Sequence, residues 1–142
     1  MSRWSSQPAP DEPDGLILFD GVCVFCSRWV RFVIDHDPGG RFSFVAIQSD
    51  RGRALATRFG IEVEAPQTNA VILGGRIWFK SDAALQVLRM LSATRWLGWL
   101  GAVPRGIRDP VYDLIAGNRY RIFGRSDACM VPLAEDRARF LT

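Results

Sequence analysis

The stretch of sequence that decides the fold covers residues 16–26 and reads LILFDGVCVFC. Its first four residues are apolar and are followed by Asp20 and Gly21, a pattern typical of a short buried strand that ends in a turn. The apolar residues after Cys23 recur at helical spacing, at positions 25, 29, 32 and 33. Cys23 and Cys26 therefore lie where the chain leaves a strand and begins a helix.

The following residues continue the alternation of strands and helices. The pattern predicts a second strand over 41–47, a second helix over 50–60 that ends in a glycine, and a hairpin over 70–79 around two glycines. Ser81 and Asp82 are expected to cap a third helix. Strands joined by a helix are parallel and a hairpin is antiparallel. The order βαβαββα therefore predicts an α/β fold with a central mixed sheet of about four strands, flanked by helices.

The two ends of the chain differ in character. Residues 1–14 hold three prolines, three acidic residues and no apolar run, which predicts a disordered lead and no signal peptide. The remainder, 15–142, predicts a single domain, of which about 94–142 form a C-terminal helical extension. In that extension Asp109 and Pro110 are typical of an N-cap and the first residue of a helix.

The extension also contains an apolar stretch over residues 96–104. Two glycines break it and it is too short to span a bilayer, so we expect its large side chains, Trp96 and Trp99 among them, to pack the extension onto the core. Tryptophans at this density also occur at membrane interfaces. No basic amphipathic face accompanies them here, and membrane association is not expected.

Length and charge limit the classes of protein that fit. A chain of 142 residues and 15.9 kDa is one domain, large enough to bury a core. The net charge is only +3, with 17 arginines and a single lysine, Lys80, so no nucleic-acid partner is expected. Three cysteines are too few for a disulfide-stapled scaffold, and without a targeting segment the chain is expected in the cytoplasm.

The spacing of Cys23 and Cys26 has a chemical use at a helix N-terminus. Free backbone N–H groups and the helix dipole favour a negative charge on the first cysteine, which lowers the pKa of its thiol below the free value of about 8.5. The thiolate attacks a disulfide, and a second thiol one turn into the helix then attacks the mixed disulfide and releases the substrate. We therefore expect Cys23 to be the nucleophile and Cys26 the resolving thiol of a thiol-disulfide oxidoreductase.

Asp20, three residues before Cys23, is a third candidate catalytic residue. Two roles are open to its carboxylate: it accepts a proton during exchange, or it holds the turn by accepting backbone N–H groups. The second role is favoured, because a carboxylate close to Cys23 raises the pKa of the thiol.

Two other interpretations of the cysteines stay open. The first is a zinc site that uses Cys23, Cys26 and Cys129, although zinc requires four ligands, and we expect no bound metal. The second is a non-catalytic interaction domain of the same fold. Cys129 itself, in a loop-like stretch, is either a third redox thiol or a small buried apolar side chain.

A Cys-x-x-Cys at a strand-to-helix turn, followed by βαββα, is typical of the thioredoxin-like fold. The sequence also resembles the DCC family of thiol-disulfide oxidoreductases over DGVCVFC (20–26), SDAAL (81–85) and YDLIAGNRY (112–120), with similarity extending to Cys129. The resemblance implies a thioredoxin-like fold and dithiol chemistry. Thiols and disulfides of proteins or small molecules are the partners of such chemistry, and because the dithiol carries two electrons, no bound organic cofactor is expected.

The substrate side of the site has further candidate residues. Thioredoxin-like sites usually have a cis-proline facing the dithiol. Pro66 lies too early in the loop, and counting back from Asp82 places Thr68 or Asn69 there instead. Ser81 and Asp82 lie at a helix start that in the similar glutaredoxins holds the charged end of glutathione, because free N–H groups there bind carboxylates. Glutathione is therefore a candidate co-substrate, and a simple N-cap is the alternative role of this pair.

Overall fold

A computed structural model describes residues 6–64, 66, 68–91, 93–124 and 134–141 of the chain. In chain order its strands are β1 (Gln7–Pro8), β2 (Leu16–Phe19), β3 (Ser43–Ala46), β4 (Ala70–Leu73), β5 (Arg76–Phe79) and β6 (Phe140–Leu141). Its α-helices are α1 (Val24–Asp35), α2 (Asp50–Phe59), α3 (Lys80–Met90) and α4 (Arg105–Phe123), and 3-10 helices cover Arg95–Ala102 and Ala134–Arg139.

The strands form one mixed sheet in the order β1-β5-β4-β2-β3-β6. β2 pairs in parallel with β3, and β3 with β6, whereas the β4–β5 hairpin, β1 against β5 and β2 against β4 are antiparallel. The predicted α/β class with a mixed sheet is confirmed, and the architecture is consistent with a thioredoxin-like fold.

The described residues form six strands, where the sequence predicts about four. The two additional strands, β1 and β6, are two residues long and lie at the two edges of the sheet. β1 lies inside the stretch predicted to be a disordered lead; just after it, Ala9 is fully buried and its N–H donates to the Gly75 carbonyl at 2.8 Å. Strands this short contain too few residues for a hydrophobic period to reveal them.

Side chains alternate across the sheet and build a core on each face. Leu16 and Leu18 of β2 pack on the side of α2, whereas Ile17 and Phe19 pack on the side of α1 and α3. Because β3 and β4 flank β2, the end of β2 at which the cysteine motif begins lies near the middle of the sheet.

Helix α2 approaches β3 closely at a glycine. Ser49 caps the helix by accepting the N–H of Gly52 at 3.1 Å, and Gly60 ends it in the left-handed conformation at φ 83°, as predicted. A Cβ atom on Gly52 would lie 1.8 Å from the carbonyl oxygen of Ala46. Only glycine therefore fits between this helix and the strand.

The main helix of the extension begins earlier than predicted. α4 starts at Arg105, and Pro110 lies inside it rather than at its first position. Asp109 is not the N-cap, because its carboxylate accepts a hydrogen bond from the hydroxyl of Ser81 in α3. A tertiary contact thus uses the side chain that the sequence suggests as a cap.

The prediction that the tryptophans of the extension pack onto the core is wrong. Trp96 and Trp99 are 68% and 60% exposed. The 3-10 helix turns its glycines toward α3 instead: a Cβ atom on Gly101 would lie 2.0 Å from Nη2 of Arg89, and Arg89 donates to the Gly98 carbonyl at 3.2 Å. No helix in the described part of the chain is long and apolar enough to cross a membrane.

An arginine holds the last strand in place. Arg139 pairs with the buried carboxylate of Asp37, donates to the Phe42 carbonyl at 3.1 Å and lies 5.4 Å from the ring centroid of Phe44. Asp37 also accepts the N–H of Phe42 at 2.9 Å. These contacts connect β6 to the turn after α1 and to the start of β3.

Candidate active site

A buried carboxylate organises the turn between β2 and α1. Asp20 is fully buried, and its Oδ1 accepts the N–H of Val22 at 3.2 Å and the side-chain amide of Gln48 at 2.8 Å. The other end of the Gln48 amide, Oε1, accepts the N–H of Gly21 at 2.9 Å. The turn that leads into the cysteine motif is therefore fixed by side chains from the ends of two neighbouring strands.

The two cysteines lie at the first turn of α1 and are not joined by a disulfide. Cys23 is the N-cap, and its Sγ accepts the backbone N–H of Cys26 at 3.2 Å. Both are buried: Cys23 is 0% exposed and Cys26 is 3% exposed. Sγ of Cys23 thus lies at the positive end of the α1 dipole, in a position that is closed to solvent.

The end of α4 returns to this helix start. The carbonyl of Gly124, just after α4, accepts the N–H of Val24 at 3.4 Å. The extension thus contacts the cysteine motif directly. Cys129, the third cysteine, lies outside the described residues.

A cavity of about 200 Å³ lies beside the dithiol, between the sheet and helices α1, α3 and α4. Cys26 lines it, and Cys23 does not. Most of the other lining side chains are apolar, namely Ile17, Phe25, Trp29, Ala70, Val71, Ala83, Ala84, Val87, Ile115 and Ala116.

The polar residues that line the cavity are bonded to one another. Oγ1 of Thr68 accepts the N–H of Lys80 at 2.7 Å, and the N–H of Asn69 donates to the hydroxyl of Tyr112 at 3.1 Å. Nζ of Lys80 pairs with the carboxylate of Asp113 at 2.7 Å. These contacts connect the loop before β4 to the start of α3 and to the middle of α4.

Of the three predicted substrate residues, only Thr68 lines the cavity. Thr68 and Cys26 thus line the same cavity. None of the peptide bonds among the described residues is cis, and the role of Thr68 stays a prediction.

Ser81 and Asp82 instead face the start of α4. The hydroxyl of Ser81 donates to Asp109, and Asp82 pairs with Arg108 at 2.9 Å and with Arg105 at 3.3 Å. Neither caps α3: the helix begins at Lys80, and its N-cap residue has no side-chain cap hydrogen bond. The capping prediction is therefore wrong, while glutathione binding by this pair stays a prediction.

The described residues contain no group of three or more His, Cys, Asp or Glu side chains arranged to hold a metal ion. The zinc interpretation depends on Cys129, which lies beyond those residues.

One protein family matches the part of the chain that builds this site. The model of the DCC1-like thiol-disulfide oxidoreductase family matches residues 17–125, which include the cysteine motif, the cavity wall and α4. The chain belongs to the DCC1-like family. The resemblance to this family that the sequence carries is thereby confirmed.

Two relatives cover most of the DCC1-like chain. An uncharacterized protein of Bacillus subtilis, YuxK, is 39% identical over 130 residues, which are 91% of this chain and 95% of that protein. A chloroplastic DCC family protein of Arabidopsis thaliana is 35% identical over 116 residues, which are 80% of this chain and 67% of that protein. No solved structure matches the chain.

Three residues near the dithiol of the DCC1-like chain are missed by sequence reasoning. Gln48 fixes the turn, and Lys80 and Tyr112 line the cavity. Gln48 follows a strand parallel to β2, and residues after neighbouring parallel strands meet at one edge, so this signal was available. The signal for Tyr112 is its place in the family motif over 112–120. The signal for Lys80 is that it is the single lysine of the chain.

Proposed function

We propose that the DCC1-like chain catalyses thiol-disulfide exchange with the Cys23–Cys26 dithiol. The observation that supports this most is the position of Cys23 as the N-cap of α1, where its Sγ accepts the N–H of Cys26. The helix dipole and this hydrogen bond act together on the first sulfur, which makes Cys23 the nucleophile and Cys26 the resolving thiol.

The reaction balances without a further cofactor. The thiolate of Cys23 attacks one sulfur of a substrate disulfide, and the other sulfur leaves as a thiolate that takes up a proton. The thiol of Cys26 then loses its proton and attacks Sγ of Cys23, which releases the second substrate thiol. The substrate gains two electrons and two protons, and the enzyme is left with one disulfide.

We propose that Asp20 is a positioning residue of this reaction. Its carboxylate accepts hydrogen bonds from Val22 and Gln48, so its charge is used to hold the turn that presents Cys23. The alternative, proton transfer by Asp20, predicts a different pH profile. Replacing Asp20 by Asn keeps an acceptor oxygen, and we expect it to preserve the shape of the pH–rate profile; the loss of one limb would assign proton transfer to Asp20.

The partners in this proposal are thiols and disulfides of proteins or small molecules. We place the reaction in a reducing compartment such as the cytoplasm, because a dithiol with so few other cysteines suits catalysis better than structural cross-linking.

The proposal is tested by two cysteine variants with a model disulfide. Cys23→Ser is expected to abolish reduction, because the hydroxyl does not replace the thiolate. Cys26→Ala is expected to accumulate a stable mixed disulfide on Cys23, detectable by mass spectrometry of peptides. A stable mixed disulfide on Cys26 in the Cys23→Ser protein, with none on Cys23 in the Cys26→Ala protein, would reverse the assignment.

A further inference from the structure

The cavity beside Cys26 has no role in the exchange reaction as derived above. It is lined by three helices and the sheet, is partly open to solvent, and borders the dithiol on the Cys26 side. Cys23 is fully buried. The sulfur of a substrate must therefore enter a region that is closed to solvent in this structure before it reaches the two cysteines.

We propose that this cavity binds the neutral apolar group of a small thiol or disulfide, such as one aryl ring or a branched alkyl chain. The inference rests on the proposed function, because it names the substrate class of the same dithiol. With such a group in the cavity, the attached sulfur lies beside Cys26. When the bound molecule is a disulfide, the thiolate of Cys23 attacks that sulfur and forms the mixed disulfide, and the other substrate sulfur leaves as a thiolate that takes up a proton. Attack by Cys26 on Sγ of Cys23 then releases the apolar thiol with one added proton.

The size of the cavity sets the size of the group. An apolar cavity of about 150 Å³ is large enough to bind benzene, and this cavity measures about 200 Å³. One ring with a short substituent therefore fits. Glutathione carries two carboxylates and an ammonium group on a three-residue chain, and burying those charges among apolar walls would cost more than the contacts return.

The charges near the cavity favour a neutral group. Among the described residues, Lys80 is the one cationic residue that lines it, and Nζ of Lys80 already pairs with Asp113 at 2.7 Å. The hydroxyl of Tyr112 accepts the N–H of Asn69. The lysine charge and the tyrosine hydroxyl thus have partners within the protein, and most of the surface offered to a ligand is alanine, valine, isoleucine and aromatic carbon.

The backbone at the cavity wall is strained. Lys80 has φ 51°, and within the described ranges no other residue except glycine has a positive φ. Such a conformation is unfavourable for residues other than glycine and is concentrated at functional sites in proteins. Thr68 and Asp113 hold Lys80 at its two ends, so the fold maintains this strain where the cavity meets the first turn of α3.

The test uses toluene as a probe that contains no sulfur, with the full chain and intact cysteines. Wild-type protein is expected to bind toluene, measured by saturation-transfer NMR and by a rise in unfolding temperature. Ala84→Leu and Ala116→Leu fill the cavity from α3 and α4 and are expected to weaken binding at least tenfold. Ala54→Leu makes the same change on the exposed side of α2 and is expected to leave binding unchanged.

The second measurement is reduction of the mixed disulfide of benzyl mercaptan and cysteine, compared with glutathione disulfide. We expect wild-type protein to prefer the benzyl substrate at least tenfold, and Ala84→Leu to lose that preference. Toluene binding that Ala84→Leu abolishes, with neither disulfide reduced, would support the cavity site and refute the redox function. Both disulfides reduced equally by wild-type and Ala84→Leu proteins, without toluene binding, would refute the cavity site and leave the redox function standing.

Discussion

Cys23 carries two tasks on one sulfur atom. It is the proposed nucleophile, and it is also the N-cap that satisfies the N–H of Cys26. Serine is a strong N-cap but a poor nucleophile toward disulfides, so substitution by serine or by alanine separates the two tasks.

We expect Cys23→Ala to be less stable than Cys23→Ser by about 1 kcal/mol, because alanine offers no acceptor to the helix N-terminus. Both variants are expected to lack exchange activity. Urea unfolding followed by circular dichroism measures the difference. Equal stability of the two variants would show that the sulfur contributes nothing as a cap.

The residues that were predictable are those that lie together in the sequence. Asp20, Cys23 and Cys26 fall within seven positions, and the strand-to-helix turn defines their geometry locally. Lys80 and Tyr112 reach the same region from elements far apart in the chain. No local pattern specifies how α3 and α4 pack, so the cavity wall could not be derived from the sequence.

At the scale of elements, the long and periodic segments follow their prediction closely. The apolar run of β2, the helical stripe of α1 and the glycine pair of the hairpin each reflect a local pattern that few residues determine. α4 begins earlier than predicted because Asp109 is used by Ser81, a contact between distant residues. β1 and β6 are missed because pairing with a neighbouring strand, not their own period, defines them.

One carboxylate of α3 pairs with two arginines at the start of α4. Arg108 and Asp82 have side chains that are each 15% exposed and lie 2.9 Å apart, whereas the Arg105 side chain is 36% exposed. We expect Arg108→Ala to lower the free energy of unfolding by about 1.5–3 kcal/mol, since it leaves a sheltered carboxylate short of a partner. Arg105→Ala is the matched control and should cost less than about 1 kcal/mol. Similar losses in chemical denaturation would contradict this ranking.

Two helical glycines provide a second comparison between elements. Gly52→Ala places a methyl group against the backbone of β3 and should cost about 1–3 kcal/mol, because α2 must move away. Gly117 lies in α4, and a methyl group added there would meet nothing within 4 Å, so Gly117→Ala should raise stability by about 0.5–1 kcal/mol. Thermal unfolding of both variants checks the opposite signs, and a stabilised Gly52→Ala would refute the close approach.

On the scale of the whole molecule, Arg139 connects the last strand to the rest of the sheet. It neutralises Asp37, whose carboxylate also accepts backbone N–H groups of the turn after α1. Removing the arginine leaves this buried carboxylate without its cation and releases β6 from β3. The stability of this sheet edge thus depends on a contact between two residues that are 102 positions apart in the sequence.

We expect Arg139→Ala to lower the free energy of unfolding by about 2–4 kcal/mol. Arg137→Ala, an exposed arginine in the same 3-10 helix, should change it by no more than about 0.5 kcal/mol. Hydrogen exchange at β3 amides should also accelerate in Arg139→Ala alone. Unchanged exchange at β3 would show that β6 contributes nothing to this edge.

The two edge strands affect the tendency of the protein to aggregate. β1 and β6 are the first and last elements of the described chain, they are two residues long, and β1 contains a proline. Short or proline-containing edge strands resist intermolecular pairing. If β1 or β6 were removed, β5 or β3 would become an edge strand with a longer row of unpaired backbone N–H and C=O groups. Limited proteolysis that removes β1 or β6 is therefore expected to cause association through the uncovered strand edge before it causes unfolding.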